Sequence, residues 1–181
     1  MVNPVPTVVG LDGALARSGL AVWRNGRITL RTIHSSPHEP IETRWRRICG
    51  QLWPVLSSHC VVVVEAVFKG AKGRTALDLA MTHGIIRYGL HGRAVPFAVV
   101  ENHQIKQYAT GNGSAGKQQM EDMARVRLGL QPGDDHQADA AWLVAMALHR
   151  YGRPMCDTTK AQADVLGRIE WPQWTLEVPQ Q

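Results

Sequence analysis

The sequence reads Cys-Val-Val-Val-Val-Glu at residues 60–65, and this short run decides the fold. Its first five residues are apolar and mostly β-branched, without the polar alternation that a half-exposed strand shows. Such a run is typical of a central strand that is covered on both faces. The run ends abruptly at Glu65, so we expect an acidic side chain at the tip of a buried strand.

Three further strand signals precede this run. Residues 7–11 form a short apolar segment that ends at Asp12-Gly13, and residues 19–23 form a second one. The second segment is closed by Asn25-Gly26, a dipeptide that strongly favours a hairpin turn. Residues 27–34 place apolar side chains among polar ones and are expected to form the returning strand. We therefore predict three antiparallel strands before the central one.

Most other apolar residues recur at steps of three and four, the spacing of a helix that buries one face. This spacing predicts helices at residues 39–58, 75–91, 104–109, 116–128 and 135–150, with one more buried strand at residues 95–100. Asp134, with Gln137 three residues later, fits a capping box at the start of the last helix, so we interpret Asp134 as a cap. The order predicts an α/β domain with a mixed five-stranded sheet and helices on both faces.

The length and composition describe one ordinary folded domain. The chain has 181 residues, of which 44% are hydrophobic and 19% are charged, and this length is short for two domains with full cores. The sequence has no run of about eighteen uncharged apolar residues, so we expect no membrane span. The first residues lack the basic and apolar regions of a secretory signal.

Cysteine content and charge indicate the compartment and the kind of partner. The three cysteines, Cys49, Cys60 and Cys156, have unrelated spacings, which argues against a disulfide framework and against a zinc site. We therefore expect a cytoplasmic protein. The net charge of +5 suits a polyanionic partner such as nucleic acid. Many proteins with no nucleic-acid role share such an excess, so charge alone does not assign the function.

Acidic side chains stand at the ends of the predicted elements. Asp12 follows the first strand and Glu65 follows the fourth, and the two could share a cation if their strands are adjacent. The last helix begins with Asp135, His136 and Asp139, whose spacing of three and four places them towards one side. Carboxylates grouped with one imidazole suit Mg²⁺ or Mn²⁺ better than zinc. Two such ions could activate a water and neutralise a scissile phosphate.

Each of these residues has a plainer explanation when it is taken alone. Asp12 could start a turn at the following glycine, and Glu65 could be a strand-end residue that faces water. Asp135 could act only through the helix dipole. An isolated His136 is more often a surface histidine than a ligand. The joint placement of the acids gives the metal-site interpretation its weight.

The order of these landmarks resembles the RuvC family of Holliday-junction resolvases. The resemblance rests on residues 10–12 and 19–22, on residues 63–68, on residues 104–117, and on Ala138-Asp139-Ala140. It covers roughly residues 7 to 152. It implies an RNase H-like nuclease domain over residues 1–152, which leaves residues 153–181 as a C-terminal extension of unknown role.

The resemblance also implies the activity and the partners. It implies a homodimer that cuts a four-way DNA junction by paired, Mg²⁺-dependent hydrolysis in DNA recombination and repair, with Mn²⁺ expected to substitute and two ions at each site. A helical stripe could supply the dimer contact or could pack on the sheet; its members are Leu77, Met81, Gly84, Ile85 and Tyr88. Whether a branch-migration helicase assists stays open.

Carried over by position, the resemblance assigns roles to individual residues. Asp12, Glu65 and Asp139 are implied to be catalytic metal ligands, and His136 stands where the family has an acid or a histidine. The remaining ligand stays open between His136 and Asp135, or both.

The resemblance further implies DNA contacts beside the acids. Lys117 matches a lysine near the scissile phosphate, and Lys106 matches another basic residue on the same surface. Phe68 matches an aromatic residue that can wedge against bases at the junction centre. Independently of the resemblance, a glycine-rich basic stretch follows Phe68 and contributes Lys69, Lys72 and Arg74. It could follow the phosphate backbone, or it could be a solvated surface loop.

The sequence departs from the family pattern at two places. Gly13 and Ala14 stand where the family usually has Pro-Gly, and Trp142 takes the place of an acid in one alignment. Two alternatives therefore stay open. One is a nuclease of the same chemistry that acts on flaps or other branched nucleic acid. The other is a junction-binding protein without catalysis.

Overall fold

A computed structural model describes residues 6–67, 70 and 72–176 of the chain. The strands are β1 (Thr7–Asp12), β2 (Arg17–Arg24), β3 (Arg27–His34), β4 (Cys60–Glu65) and β5 (Phe97–Val100). The α-helices are α1 (Ile41–Leu52), α2 (Gly73–His91), α3 (Asn102–Thr110), α4 (Lys117–Leu128), α5 (Asp135–Arg150) and α6 (Lys160–Ala163). Two short 3₁₀ helices cover Trp53–Val55 and Leu166–Arg168.

The five strands form one mixed sheet in the order β3-β2-β1-β4-β5. The pairs β1–β2 and β2–β3 are antiparallel, whereas β1–β4 and β4–β5 are parallel. This arrangement confirms the predicted fold class. Because β1 and β4 are parallel neighbours, their carboxyl ends meet at the same edge of the sheet.

Two apolar layers explain why residues 60–64 contain no polar side chain. Val61 and Val63 face the layer formed with α5, whereas Val62 and Val64 face the layer formed with α1 and α2. All four side chains are fully buried, and each contributes about 1.5–3 kcal/mol relative to an exposed side chain. Helices therefore cover both faces of the sheet, as predicted.

Helix α5 lies directly on β1 and β2. A Cβ atom on Gly10 would stand 2.2 Å from the carbonyl oxygen of Ala140, and one on Gly19 would stand 1.9 Å from the carbonyl oxygen of His136. These positions therefore require glycine, because any side chain would push the helix off the sheet. The two contacts fix both the depth and the position of the N-terminal half of α5.

Element boundaries differ from the sequence prediction where proline or tertiary packing intervenes. The first helix ends at Leu52 rather than near residue 58, and Pro54 lies in the short 3₁₀ helix that follows. The last strand begins at Phe97, directly after Pro96, whose ring nitrogen carries no hydrogen to donate to a strand ladder. Among the residues that the structure describes, no helix is long and apolar enough to cross a bilayer.

The segment after α5 packs on the domain, although its sequence shows no clear periodicity. Val165, Leu166 and Ile169 are buried in the α5 layer, and the Gln162 side-chain amide donates a 2.9 Å hydrogen bond to the carbonyl oxygen of Tyr108. These contacts come from non-local packing, which the local sequence pattern does not encode. The boundary drawn at residue 152, with an extension over 153–181, stays a prediction.

We expect Gly19→Ala to destabilise the domain by about 3 kcal/mol or more, because the new methyl group overlaps the backbone of α5. Urea denaturation followed by circular dichroism measures this change. Gly50→Ala is the matched control, since Gly50 lies in α1 and an added Cβ meets no atom within 4 Å. The control should be neutral or stabilising by about 0.5–1 kcal/mol. Equal unfolding midpoints for the two variants would refute the close-contact argument.

Candidate metal centre

Three carboxylates from distant parts of the chain converge at one edge of the sheet. Asp12 ends β1, Glu65 ends β4, and Asp139 lies about one turn into α5. One oxygen atom from each lies within 4.8 Å of the other two. Asp12 and Glu65 are only 8% and 9% exposed. A group of oxygen donors with this spacing can hold a hard divalent cation.

The protein alone leaves this cluster poorly compensated. Burial, together with the charges of Asp12 and Asp139, raises the pKa of Glu65 to about 9. Burial and the charge of Asp12 also raise the pKa of Asp139 to about 7. Oδ1 of Asp139 is buried and has no hydrogen-bond partner within the described part of the chain. A cation would satisfy this acceptor and relieve the repulsion, so the residues present fit a divalent metal ion.

His136 lies against the same cluster. Its Nδ1 atom is 2.5 Å from Oδ2 of Asp12. This hydrogen bond and the charge of Asp12 raise the pKa of the His136 imidazole, although burial opposes the shift. A proton on His136 therefore compensates part of the charge of Asp12. The role of His136 as a metal ligand stays a prediction.

Asp135 forms an ion pair with a lysine and is not part of the acid cluster. Lys117 Nζ lies 2.5 Å from Oδ2 of Asp135. Burial alone would raise the pKa of Asp135, but the hydrogen bond from Lys117 and the charges of His136 and Lys117 lower it. The Lys117 side chain is 76% exposed. It therefore presents a positive charge to solvent at the rim of the cluster, while its partner Asp135 lies outside the group of three acids.

A closed polar network holds the start of α5 against β3. Asp134 caps the helix, as predicted: its Oδ1 accepts a 2.9 Å hydrogen bond from Gln137 N. The reciprocal half of the predicted capping box is wrong. The Gln137 side chain instead accepts from Gly133 N at 2.9 Å and donates to Thr32 Oγ1 at 2.8 Å. Thr32 Oγ1 in turn donates to Asp134 Oδ2 at 2.7 Å.

Sequence reasoning missed three residues beside the acids, namely Thr32, Asn102 and His83. Asn102 Nδ2 donates a 2.7 Å hydrogen bond to Oε1 of Glu65. His83 is 5% exposed, and its Nε2 atom would lie 3.1 Å from a Cβ on Gly13. Asn102 could have been found, since it follows the end of a strand as Asp12 and Glu65 do. Thr32 and His83 carry no such signal, because their contacts depend on the tertiary fold.

The structure locates the other predicted DNA contacts only in part. Phe68 and Lys69 lie outside the described residues. Lys72 and Arg74 are exposed at the start of α2, where Arg74 Nε donates to Asp78 Oδ1 at 2.8 Å. The charge of Lys106 lowers the pKa of Asp139 against the larger effect of burial, which places Lys106 on the side of the acids.

Trp142 does not occupy an acidic position of the site. Its side chain is fully buried, and its Nε1 atom donates a 3.2 Å hydrogen bond to the carbonyl oxygen of Met120 in α4. Its ring makes an edge contact with Tyr108 of α3. The residue is part of the core between these helices, so its presence is no argument that an acid has been lost.

Comparisons with known proteins give one consistent result. A family model described as crossover junction endodeoxyribonuclease RuvC matches residues 8–150. The crossover junction endodeoxyribonuclease RuvC of Syntrophomonas wolfei is 31% identical over 153 residues, which covers 80% of this chain and 89% of the relative. The protein of the same name from Mycobacterium leprae is 29% identical over 169 residues, which covers 88% of this chain and 89% of the relative.

Solved structures agree with the sequence comparisons. The structure of Thermus thermophilus RuvC matches with a TM-score of 0.62 and 28% identity, covering 81% of this chain and 96% of that one. The T. thermophilus RuvC in complex with Holliday junction substrate matches with a TM-score of 0.60 and 25% identity. The match covers 76% of this chain and 90% of that one.

We expect the gain in melting temperature on adding Mg²⁺ to be larger at about pH 9 than at about pH 6. The raised pKa values mean that the folded, metal-free protein holds protons on Glu65 and Asp139 more tightly than the unfolded chain does. The contribution of these two groups to stability is therefore greatest at low pH and is lost as the pH rises through about 7 for Asp139 and about 9 for Glu65. Bound Mg²⁺ offsets the same repulsion, and thermal unfolding with and without Mg²⁺ measures the difference.

The control for this prediction compares two acids. Asp139→Asn removes one charge of the cluster with little change in shape, and it should lose most of the stabilisation by Mg²⁺. Asp164→Asn removes an exposed acid beyond α5 and should respond to Mg²⁺ like the unmodified protein. A gain that is equal at both pH values, or one that survives Asp139→Asn, would contradict the assignment of the metal centre.

Proposed function

The chain belongs to the RuvC family of crossover junction endodeoxyribonucleases, and we propose that it resolves four-way DNA junctions by paired, metal-dependent hydrolysis of phosphodiester bonds. One observation carries the proposal: Asp12 of β1, Glu65 of β4 and Asp139 of α5 bring carboxylate oxygens within 4.8 Å of one another, and the buried Oδ1 of Asp139 has no hydrogen-bond partner among the described residues. The likeness to a relative in complex with Holliday junction substrate supports the choice of substrate.

Asp12, Glu65 and Asp139 would hold the metal, which we infer to be two Mg²⁺ ions, with Mn²⁺ as a substitute. When bound, the metal would lower the pKa of a water molecule and neutralise the charge that develops at the scissile phosphate. The contribution of the three side chains themselves is to hold their carboxylate oxygens in place. Each stands on a rigid strand end or helix, so their oxygens are held close together before substrate arrives.

His136, rather than Asp135, is our choice for the remaining member of the site. His136 contacts Asp12 directly, whereas Asp135 is paired with Lys117. A neutral imidazole can serve as a ligand, and a protonated one can hold a proton beside Asp12. Either role needs the contact that the start of α5 provides, and the Thr32–Asp134–Gln137 network keeps that part of the helix in place.

The basic residues around the acids would bind the DNA backbone. Lys117 presents an exposed ammonium group at the rim, and Lys106 lies near Asp139. Lys72 and Arg74 at the start of α2 extend the positive surface. Such contacts position the phosphates and carry no information on base sequence. Phe68 as the aromatic wedge, with Lys69 beside it, belongs to the same proposal.

A homodimer would place two such sites on the two strands of a symmetric junction. The outer face of α2 supports this part of the proposal. Leu77 and Tyr88 are 54% and 80% exposed, and Gly84 between them is exposed with open space at its Cβ position. Large apolar side chains with this exposure on one helix face favour a protein partner, and the glycine would permit close approach of a second helix.

The first test incubates the purified protein with a labelled mobile four-way junction and a matched linear duplex, in Mg²⁺, Mn²⁺ or EDTA. We expect symmetric nicks on the junction alone, and only with metal. Asp12→Asn should bind the junction within about twofold of the unmodified affinity but should not cut it, because the change removes a ligand charge and preserves the shape. Cutting of flaps or linear duplex would overturn the substrate, and binding without nicks would overturn the enzymatic proposal.

The dimer has a separate test. Leu77→Glu should weaken self-association at least tenfold in analytical ultracentrifugation, because it places a charge in the apolar contact. The same variant should produce single nicks where the unmodified protein cuts both strands. Val126→Glu is the control, since Val126 is equally apolar and 78% exposed but lies on α4. Unchanged association of Leu77→Glu would exclude this face of α2 as the interface.

A further inference from the structure

We propose that Asn102 is a positioning residue of the metal centre, which holds the carboxylate of Glu65 in its metal-binding orientation by a 2.7 Å hydrogen bond from Nδ2 to Oε1. The inference rests on the proposed function, because it assigns Glu65 to the metal. It adds a residue from a fourth element, α3, to a site otherwise built from β1, β4 and α5.

The fold places Asn102 next to Glu65 through the backbone. Strands β4 and β5 stay paired to their ends, where Glu65 is opposite Val100 and Ala66 N donates to the carbonyl oxygen of Val100 at 2.8 Å. Helix α3 begins two residues later, with Asn102 as its first residue. The position of the Asn102 backbone relative to Glu65 is therefore set by sheet pairing and not by a flexible loop.

A capping box fixes the start of α3 independently. The Glu101 side chain accepts from the backbone of the third helical residue, and the Gln104 side chain accepts from Glu101 N at 2.9 Å. The helix is anchored in the core by Ile105, Tyr108 and Ala109, which are fully buried. With both its backbone and its helix held, the Asn102 amide has little freedom to leave Glu65.

An amide suits this position because it donates without charge. A lysine or arginine here would neutralise Glu65 and compete with a cation for it, whereas an amide orients the carboxylate and leaves its negative charge available. A glutamate side chain has several freely rotating bonds, and fixing it during folding removes that ordering cost from metal binding. Partners of this kind typically change metal affinity by about 10–100-fold.

Helix α3 presents a second group to the cluster from the same side. Lys106 stands four residues after Asn102, so both side chains share one face of the helix. The charge of Lys106 acts on Asp139, whereas Asn102 contacts Glu65. Asn102 therefore orients one acid while Lys106 compensates another, and the two tasks are assigned to separate residues.

The experiment titrates Mg²⁺ into metal-free protein without DNA and follows the melting temperature. For Asn102→Ala we expect the half-saturating Mg²⁺ concentration to rise about tenfold or more. Asn102→Ser should behave alike, because serine keeps a favourable helix start but is too short to reach Glu65. His103→Ala is the control, since His103 is exposed on the same helix turn and should leave the titration unchanged.

A second readout separates positioning from a general structural role. Junction affinity in EDTA should stay within about twofold for all variants, and cleavage by Asn102→Ala should recover towards the unmodified rate when Mg²⁺ is raised. An unchanged half-saturating Mg²⁺ concentration in both Asn102 variants overturns the proposal. The proposal is also overturned if the Asn102 variants lose junction affinity in EDTA by the same factor as they lose Mg²⁺ affinity, because that result would indicate a general structural defect. Since the titration needs no DNA, a protein that never cuts junctions would refute the proposed function and still test Asn102.

Discussion

The contact between helix α5 and the backbones of β1 and β2 governs the rest of the molecule. At Gly10 and Gly19 no side chain separates the helix from the sheet, so the helix lies closer to the two strands than any side chain at these positions would permit. This depth brings Asp139 to the ends of β1 and β4 and brings His136 against Asp12. Without this close approach, Asp139 on α5 would lie too far from Asp12 and Glu65 to share a cation with them.

Bringing the acids together lowers the free energy of unfolding, and apolar packing in the surrounding structure offsets this loss. The raised pKa values of Glu65 and Asp139 mean that the folded chain disfavours ionisation of the carboxyl groups that could bind a cation. Fully buried apolar residues on both faces of β4 and along α5 offset this penalty. A cluster of like charges within an otherwise well-packed core is typical of functional sites in proteins.

The sequence was most informative where a local pattern determined the structure. The β-branched run of β4 and the Asn25-Gly26 turn predicted the strands, and the acids at strand ends predicted which side chains would meet. It was less informative where partners are far apart in the chain. The Gln137 side chain leaves its predicted capping role to reach Thr32, 105 residues away, and Asn102 finds Glu65 across 37 residues. These hydrogen bonds arise from packing. No local spacing predicts the pair of Gln137 and Thr32, whereas the position of Asn102 after a strand end does indicate that it lies on the same side of the sheet as Glu65.

Asp12 and His136 are far apart in the chain, and this separation determines when the proposed metal centre can form during protein synthesis. These two residues are 124 positions apart, with Asp12 on the first strand and His136 on the last long helix. During synthesis the ribosome therefore releases the sheet well before the helix that completes the cluster. In a nascent or partly folded chain the three acids are therefore not yet together, and the proposed metal centre forms only when α5 packs on the sheet.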